Sequence, residues 1–333
     1  MTKTYNVCGL GNALTDIEFE VLPETLQELG IDKGVMTLIE QEHQNAILER
    51  LRDRPCKQSC GGSAANTVTA IAQFGGKCFY SCKVANDETG QAYYQDLVRR
   101  GIDTNLQHHD PEPGETGKCL VLVTPDADRT MNTYLGITTE FSERELVPEA
   151  ITNAEYLYIE GYLFGDEKGK QAAIKARDIA REAGSKVAVS LSDLNMVKFC
   201  KQAFLDLIGS GIELIFANED EALQMAETDD IDEAVAHFKQ LASSFAITRG
   251  AKGVIVYDGQ TATAVDSVKV DAIDTVGAGD MFAGAFLYGI THGMSHADAG
   301  RFATRAAARL VTSLGPRLDE REAQTLLQEA AVA

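Results

Sequence analysis

The chain has 333 residues, 44% hydrophobic and 24% charged, and a formal net charge of −20 from 30 Lys and Arg against 50 Asp and Glu. That length suits one large α/β domain with an appendage, or two ordinary domains, with apolar residues enough for a sizeable core. An acidic balance without a basic run argues against a nucleic-acid backbone as partner, and no stretch approaches the ~18 apolar residues of a membrane-spanning helix. The opening residues 1–7 enter strand-like sequence at once, with no apolar signal region. Seven cysteines are an odd count, and Cys8, Cys78, Cys82 and Cys119 lie in apolar runs, as expected of reduced thiols in a cytoplasmic protein.

In chain order, the first predicted strand is 5–10, ending in GLGNAL at 9–14. This is not a dinucleotide fingerprint, because Leu14 stands where the third glycine belongs and strand-like sequence follows instead of a helix. Asp16 comes just after, where a carboxylate can accept hydrogen bonds from two adjacent sugar hydroxyls. Residues 16–21 and 35–39 alternate with period two, as in a sheet with one exposed face. GGSAAN at 61–66 then leads into an apolar run that stops at Gly75 and Gly76. Gly61 and Gly62 let a ligand approach the backbone closely, and Asn66 can both donate to and accept from a hydroxyl.

A strand over 79–84 and a helix over 88–101 follow. Residues 116–136 read as a hairpin with its turn at 125–128. Beyond it, strands at 155–159, 186–191, 213–217 and 244–248 alternate with helices, the pattern of a parallel sheet wrapped by helices. Such sheets bind ligands at the carboxyl ends of their strands. The two alternating segments, within 14–40 and 114–137, leave this core and return, and are expected to form a small sheet over that edge.

The string DTVGAGDMFAGAF at 274–286 carries the most chemistry. Gly277, Ala278 and Gly279 let consecutive N–H groups converge at the start of a helix, an anion-binding nest reinforced by the helix dipole. Asp280 stands at its mouth, where it can accept a hydroxyl proton while the nest stabilises charge on a phosphoryl group. Helices are predicted over 280–291, 295–312 and 319–331. The histidines offer no base: His108 and His109 lie in a polar loop, and Gly293 interrupts the pair His292 and His296. The spacings Cys56 to Cys60 and Cys78 to Cys82 are loose, with no histidine near, which argues against zinc.

GGSAAN and DTVGAGD, in this order and at this separation, resemble the two signatures of the ribokinase-like (PfkB) carbohydrate and nucleoside kinases, nearest the adenosine kinase branch. The resemblance spans essentially the whole of 1–333. It implies a three-layer α/β/α core with a mainly parallel sheet and a small β-sheet lid, a monomer or a homodimer through the lid, and transfer of the γ-phosphoryl of ATP to a primary hydroxyl. In that scheme Asp280 is the base, and Gly277, Ala278, Gly279 and the Asp280 amide form the anion hole. Asp16, Gly61, Gly62, Asn66 and Glu160 meet the acceptor. Asn218 and Glu221, in NEDE at 218–221, organise magnesium and its waters, while Thr248 and Gly250 meet the nucleotide, with Arg249 and Lys252 as local positive charge. A monovalent cation, potassium, often sits in the family near the positions matching Asp274 and Gly315.

The wording of 11–16 and of RTMNTYLG at 129–136 points to a purine nucleoside as acceptor, with Phe19, Val35, Leu120, Leu122 and Tyr134 as the source of an apolar slot for the base. A free sugar, of the ribokinase, fructokinase or 2-keto-3-deoxygluconate kinase type, is the alternative. No GxxxxGK[ST] occurs, which excludes a P-loop kinase. The failed glycine fingerprint opposes a nicotinamide oxidoreductase, and the intact Asp280, Asn66 and glycines oppose a non-catalytic sensor.

Overall fold

The computed structural model describes residues 3–108, 111–126 and 128–332. His109 and the Ala127 position of the expected turn lie outside them, as does Met1. β1 (Tyr5–Leu10) opens a large sheet, and β2 (Leu14–Glu20), β3 (Met36–Leu38) and β4 (Cys56–Gly61) leave it for a small one. β5 (Cys78–Ser81) and β6 (Asp103–Thr104) return to the large sheet, after which β7 (Thr116–Val123) and β8 (Arg129–Gly136) complete the small one. The large sheet is finished by β9 (Ala154–Glu160), β10 (Lys186–Ser190), β11 (Ile212–Asn218), β12 (Ala242–Thr248), β13 (Val254–Tyr257) and β14 (Ala262–Val265).

The large sheet runs β14-β13-β12-β11-β10-β9-β1-β5-β6. All pairs from β12 to β6 are parallel, and β13 and β14 add an antiparallel edge that periodicity did not reveal. Parallel neighbours require crossover helices, which cover both faces and bury both sides of each strand. Val7, Cys8, Leu157, Leu214 and Ile215 are accordingly fully buried, in one apolar cluster on each face. The three expected C-terminal helices are Ala278–Thr291, His296–Leu310 and Glu320–Val332.

The small sheet runs β3-β8-β7-β2-β4, with β2 parallel to β7 and the hairpin β7/β8 antiparallel. β4, CKQSCG, went unread because it lacks both alternation and β-branched residues; it pairs antiparallel with β2 from Leu14↔Gly61 to Phe19↔Cys56. Two short helices, Pro23–Leu29 and Gln41–Leu51, back this sheet. Ile17, Phe19, Leu120 and Leu122 pack against them with Leu26, Ile47 and Leu51. This corrects the apolar slot. Phe19, Leu120 and Leu122 face those helices, Val35 is exposed, and the opposite face carries Asp16, Glu18, Cys119, Val121, Arg129 and Met131. Period two allows no other outcome once Phe19 is buried.

Candidate functional site

Helix Ala278–Thr291 begins at Gly277, whose φ of +76° is left-handed. A Cβ there would lie 2.6–2.8 Å from Pro316 Cβ, Cα and O, so only glycine fits. At Gly279 a Cβ would meet nothing within 4 Å; the helix start is an open concavity. The amides of Gly279 and Asp280 have no acceptor among the described residues. The Ala278 amide already donates to Thr275 O at 3.2 Å, so the four-amide nest expected from the sequence has one member engaged.

Asp280, half-buried, is held from both sides. Its Oδ1 accepts from Ser63 Oγ at 2.6 Å and its Oδ2 from Asn66 Nδ2 at 3.0 Å. Both donors belong to helix Ser63–Gln73, whose N-cap is Gly62 at φ +98°. A Cβ on Gly62 would strike Asn12 O at 2.2 Å, and one on Gly61 would strike Asp16 Oδ2 at 2.3 Å. GGSAAN therefore brings a helix start, Asp16 and Asp280 together at contact distances that a side chain would forbid. Burial pushes the Asp280 carboxyl up to about 6, opposed by Ser63, Asn66 and the charge of Arg317. Asp280 stays mostly ionised at neutral pH.

Asp16 accepts no hydrogen bond among the described residues and lines a cavity of about 260 Å³ between the small sheet and residues 314–319. Burial raises its carboxyl to about 6, opposed by Arg317 and Arg129. Val121, Met131, Leu314 and Leu318 supply the cavity's apolar wall; Lys57, Arg100, Arg129 and Arg317 line it with the acids Asp16, Glu18 and Asp319, the three arginines being paired with Asp96, Glu18 or Asp274. Glu160 is placed elsewhere. It is 1% exposed, with Oε2 accepting from the Ala64 amide at 2.7 Å and Oε1 from the Asn12 amide at 3.3 Å. It ties the β1–β2 connection to the helix Ser63–Gln73 from beneath, instead of facing the cavity.

Parallel pairing sets Asn218, ending β11, beside Thr248, ending β12. Asn218 caps helix Glu219–Ala226 by accepting from the Glu221 amide at 2.8 Å, while its own amide and side-chain Nδ2 donate to Glu221 at 2.9 and 2.7 Å. Glu221 is buried, and burial pushes it up to about 7. Gly250, at φ +54°, has open space where a Cβ would be. Arg249 and Lys252 both pair with Glu219, so the positive charge expected of them is compensated locally.

Residues 31–323 match the model of the pfkB family of carbohydrate kinases. The chain belongs to that family. A probable sugar kinase from Rhizobium etli is 34% identical, with a TM-score of 0.87 over 100% of this chain and 98% of its own. Adenosine kinase from Sinorhizobium meliloti is 33% identical, with a TM-score of 0.87 over 98% of this chain and 99% of its own. Ribokinase from Haemophilus influenzae is 29% identical over 264 residues, 77% of this chain and 82% of that one. The fold is ribokinase-like, and the protein is an ATP-dependent kinase acting on an alcohol group of a nucleoside or sugar.

In this pfkB kinase ATP fits the open concavity at Gly279 and its free amides. Potassium does not fit Asp274. That residue is 5% exposed, and its oxygens accept from Arg129 Nη1 at 2.7 Å, the Gly315 amide at 2.8 Å and the Val276 amide at 3.0 Å. A cation cage needs converging oxygens, and here the carboxylate is surrounded by N–H donors and already paired with a guanidinium. Ser63, Arg129 and Arg317 are site residues to which the sequence alone assigns no role; Ser63 sits inside GGSAAN, and the two arginines stand apart from either signature. Each is a single arginine in a loop or strand end, with no spacing pattern to mark it; the RTMNTYLG string contained Arg129, read there only as wording.

Proposed function

We propose that this kinase transfers the γ-phosphoryl of ATP to the primary hydroxyl of a purine nucleoside, with Asp280 as general base. The carrying observation is the Asp280 carboxylate held by Ser63 and Asn66 beside two unengaged helix-start amides. A hydroxyl between Asp280 and the concavity gives up its proton to the carboxylate as it attacks phosphorus. The Gly279 and Asp280 amides take up charge on the transferring group. Asp16, with no hydrogen-bond partner among the described residues, receives the remaining ribose hydroxyls. Asn218 and Glu221 would hold the waters of a magnesium ion bound with ATP, which would supply neutralisation of phosphate charge. Thr248 and Gly250 would meet the nucleotide.

The small sheet acts as a lid in this reading, closing the cavity and excluding water that competes for the γ-phosphate. The base rests against Val121, Met131, Leu314 and Leu318. The adenosine kinase of S. meliloti, alike over 98% of this chain, supports this acceptor. A free sugar is the second reading, favoured by the many charged side chains of both signs on the same cavity, which suit a smaller, more polar acceptor. The test is kcat/KM for adenosine, inosine and guanosine against ribose, fructose and 2-keto-3-deoxygluconate. Nucleosides should lead by at least about tenfold, the ~1.4 kcal/mol expected from burying part of a base. A tenfold lead for any free sugar overturns the nucleoside assignment and leaves the kinase intact.

A further inference from the structure

Beyond helix His296–Leu310, three consecutive residues reach three parts of the site. The Gly315 amide donates to Asp274, Pro316 packs against Gly277, and Arg317 turns inward. Arg317 Nε donates to Asn66 Oδ1 at 2.9 Å, and its Nη1 donates to Asp96 Oδ2 at 3.1 Å. Asp96, 10% exposed at its side chain, is further held by Arg99 at 3.1 Å and Arg100 at 3.0 Å. A continuous chain runs Asp96–Arg317–Asn66–Asp280.

A carboxamide is nearly symmetric in shape and can present either its oxygen or its nitrogen. A guanidinium only donates, so Arg317 obliges Asn66 to aim Oδ1 at it and Nδ2 at Asp280. Without Arg317, Asn66 can turn over and accept from a protonated Asp280, which favours the neutral acid over the base. The remaining guanidinium nitrogen, Nη2, is buried without a partner among the described residues, on a residue that lines the cavity.

We propose that Arg317 is a positioning residue for phosphoryl transfer, fixing through Asn66 the pose in which Asp280 accepts the proton, and that its unpartnered N–H receives an acceptor oxygen. This rests on Asp280 being the base. The charged or titratable groups around Asp280 are Asp16 from β2, Tyr158 and Glu160 from β9, Tyr162 just after it, and Arg317. Arg317 is the cation among them and lowers the Asp280 carboxyl. Its removal should raise that carboxyl, so that a higher pH is needed to ionise the base.

The experiment measures kcat and acceptor KM, with acceptor varied at saturating MgATP, from pH 5 to 9, for wild type, Arg317→Met, Arg317→Lys, Asp96→Asn and Asp280→Asn. Arg317→Met should move the acid limb up by about one pH unit and raise acceptor KM at least about tenfold. Arg317→Lys keeps the charge but not the two-pronged fork, so its limb should stay in place while kcat falls. Asp96→Asn should also lower kcat by loosening Arg317. A residue that served only the fold would lower activity equally at every pH. An unmoved limb in folded Arg317→Met overturns the inference while an inactive Asp280→Asn upholds the base. An active Asp280→Asn overturns both. Should Arg317→Met not fold, wild-type kcat in both Arg317→Lys and Asp96→Asn overturns the inference.

Discussion

Gly277 and Gly279 stand two residues apart in one motif, and the same change, glycine to alanine, should have opposite consequences at each. At Gly277 the added methyl meets a φ of +76° and three Pro316 atoms at 2.6–2.8 Å, two of them backbone. The left-handed conformation costs an L-residue about 1–2 kcal/mol, and overpacking against atoms that cannot step aside a further ~1–3 kcal/mol. Gly277→Ala should therefore lose about 2–5 kcal/mol, which for a chain of this length lowers Tm by roughly 3–8 °C. At Gly279 the methyl meets nothing and lies in a helix, where alanine is preferred to glycine by up to about 1 kcal/mol, so Tm should hold or rise slightly. That methyl fills the concavity proposed for phosphate, and loss of one such contact lowers kcat by about 10²–10³-fold. Thermal unfolding paired with a coupled ADP-release assay reads both effects. A Gly279→Ala enzyme with wild-type turnover would place the anion hole elsewhere, and a Gly277→Ala protein melting with wild type would refute the Pro316 contact.

Asp280→Asn should bind ATP and acceptor normally yet lose about two to four orders of magnitude in kcat, and turnover within a few-fold of wild type would sink the base assignment. Replacing all K⁺ and Na⁺ by tetramethylammonium should change the rate less than about twofold, because Arg129 already compensates Asp274; a steep loss would restore a cation to that site. Glu160→Gln exchanges one acceptor for a donor facing a backbone amide, and equilibrium unfolding should show about 1–3 kcal/mol of lost stability; none would mean the Ala64 and Asn12 bonds are dispensable. Hydrogen exchange should show β2, β4, β7 and β8 protected together when acceptor binds, and unchanged exchange at saturation would argue against a closing lid.

What the sequence determined by itself is local in origin. A glycine pair before a helix, an acid after Gly-Ala-Gly and strands alternating with helices depend on neighbours a few residues apart. GGSAAN and DTVGAGD could thus be placed on helix starts, and Asp280 and Asn66, 214 positions apart, do meet at 3.0 Å. Tertiary structure decided what depends on direction across long separations. Alternation marked residues 16–21 as two-faced, but only the packing of Phe19, Leu120 and Leu122 on two unread helices chose which face meets the cavity. Glu160 was legible as a strand-end acid, and only its two backbone amides show that it braces the site from beneath. Arg129 and Arg317 carry no local pattern. Their charges matter because folding buries them beside Asp274 and Asn66, where a pairing of little consequence in water becomes strong.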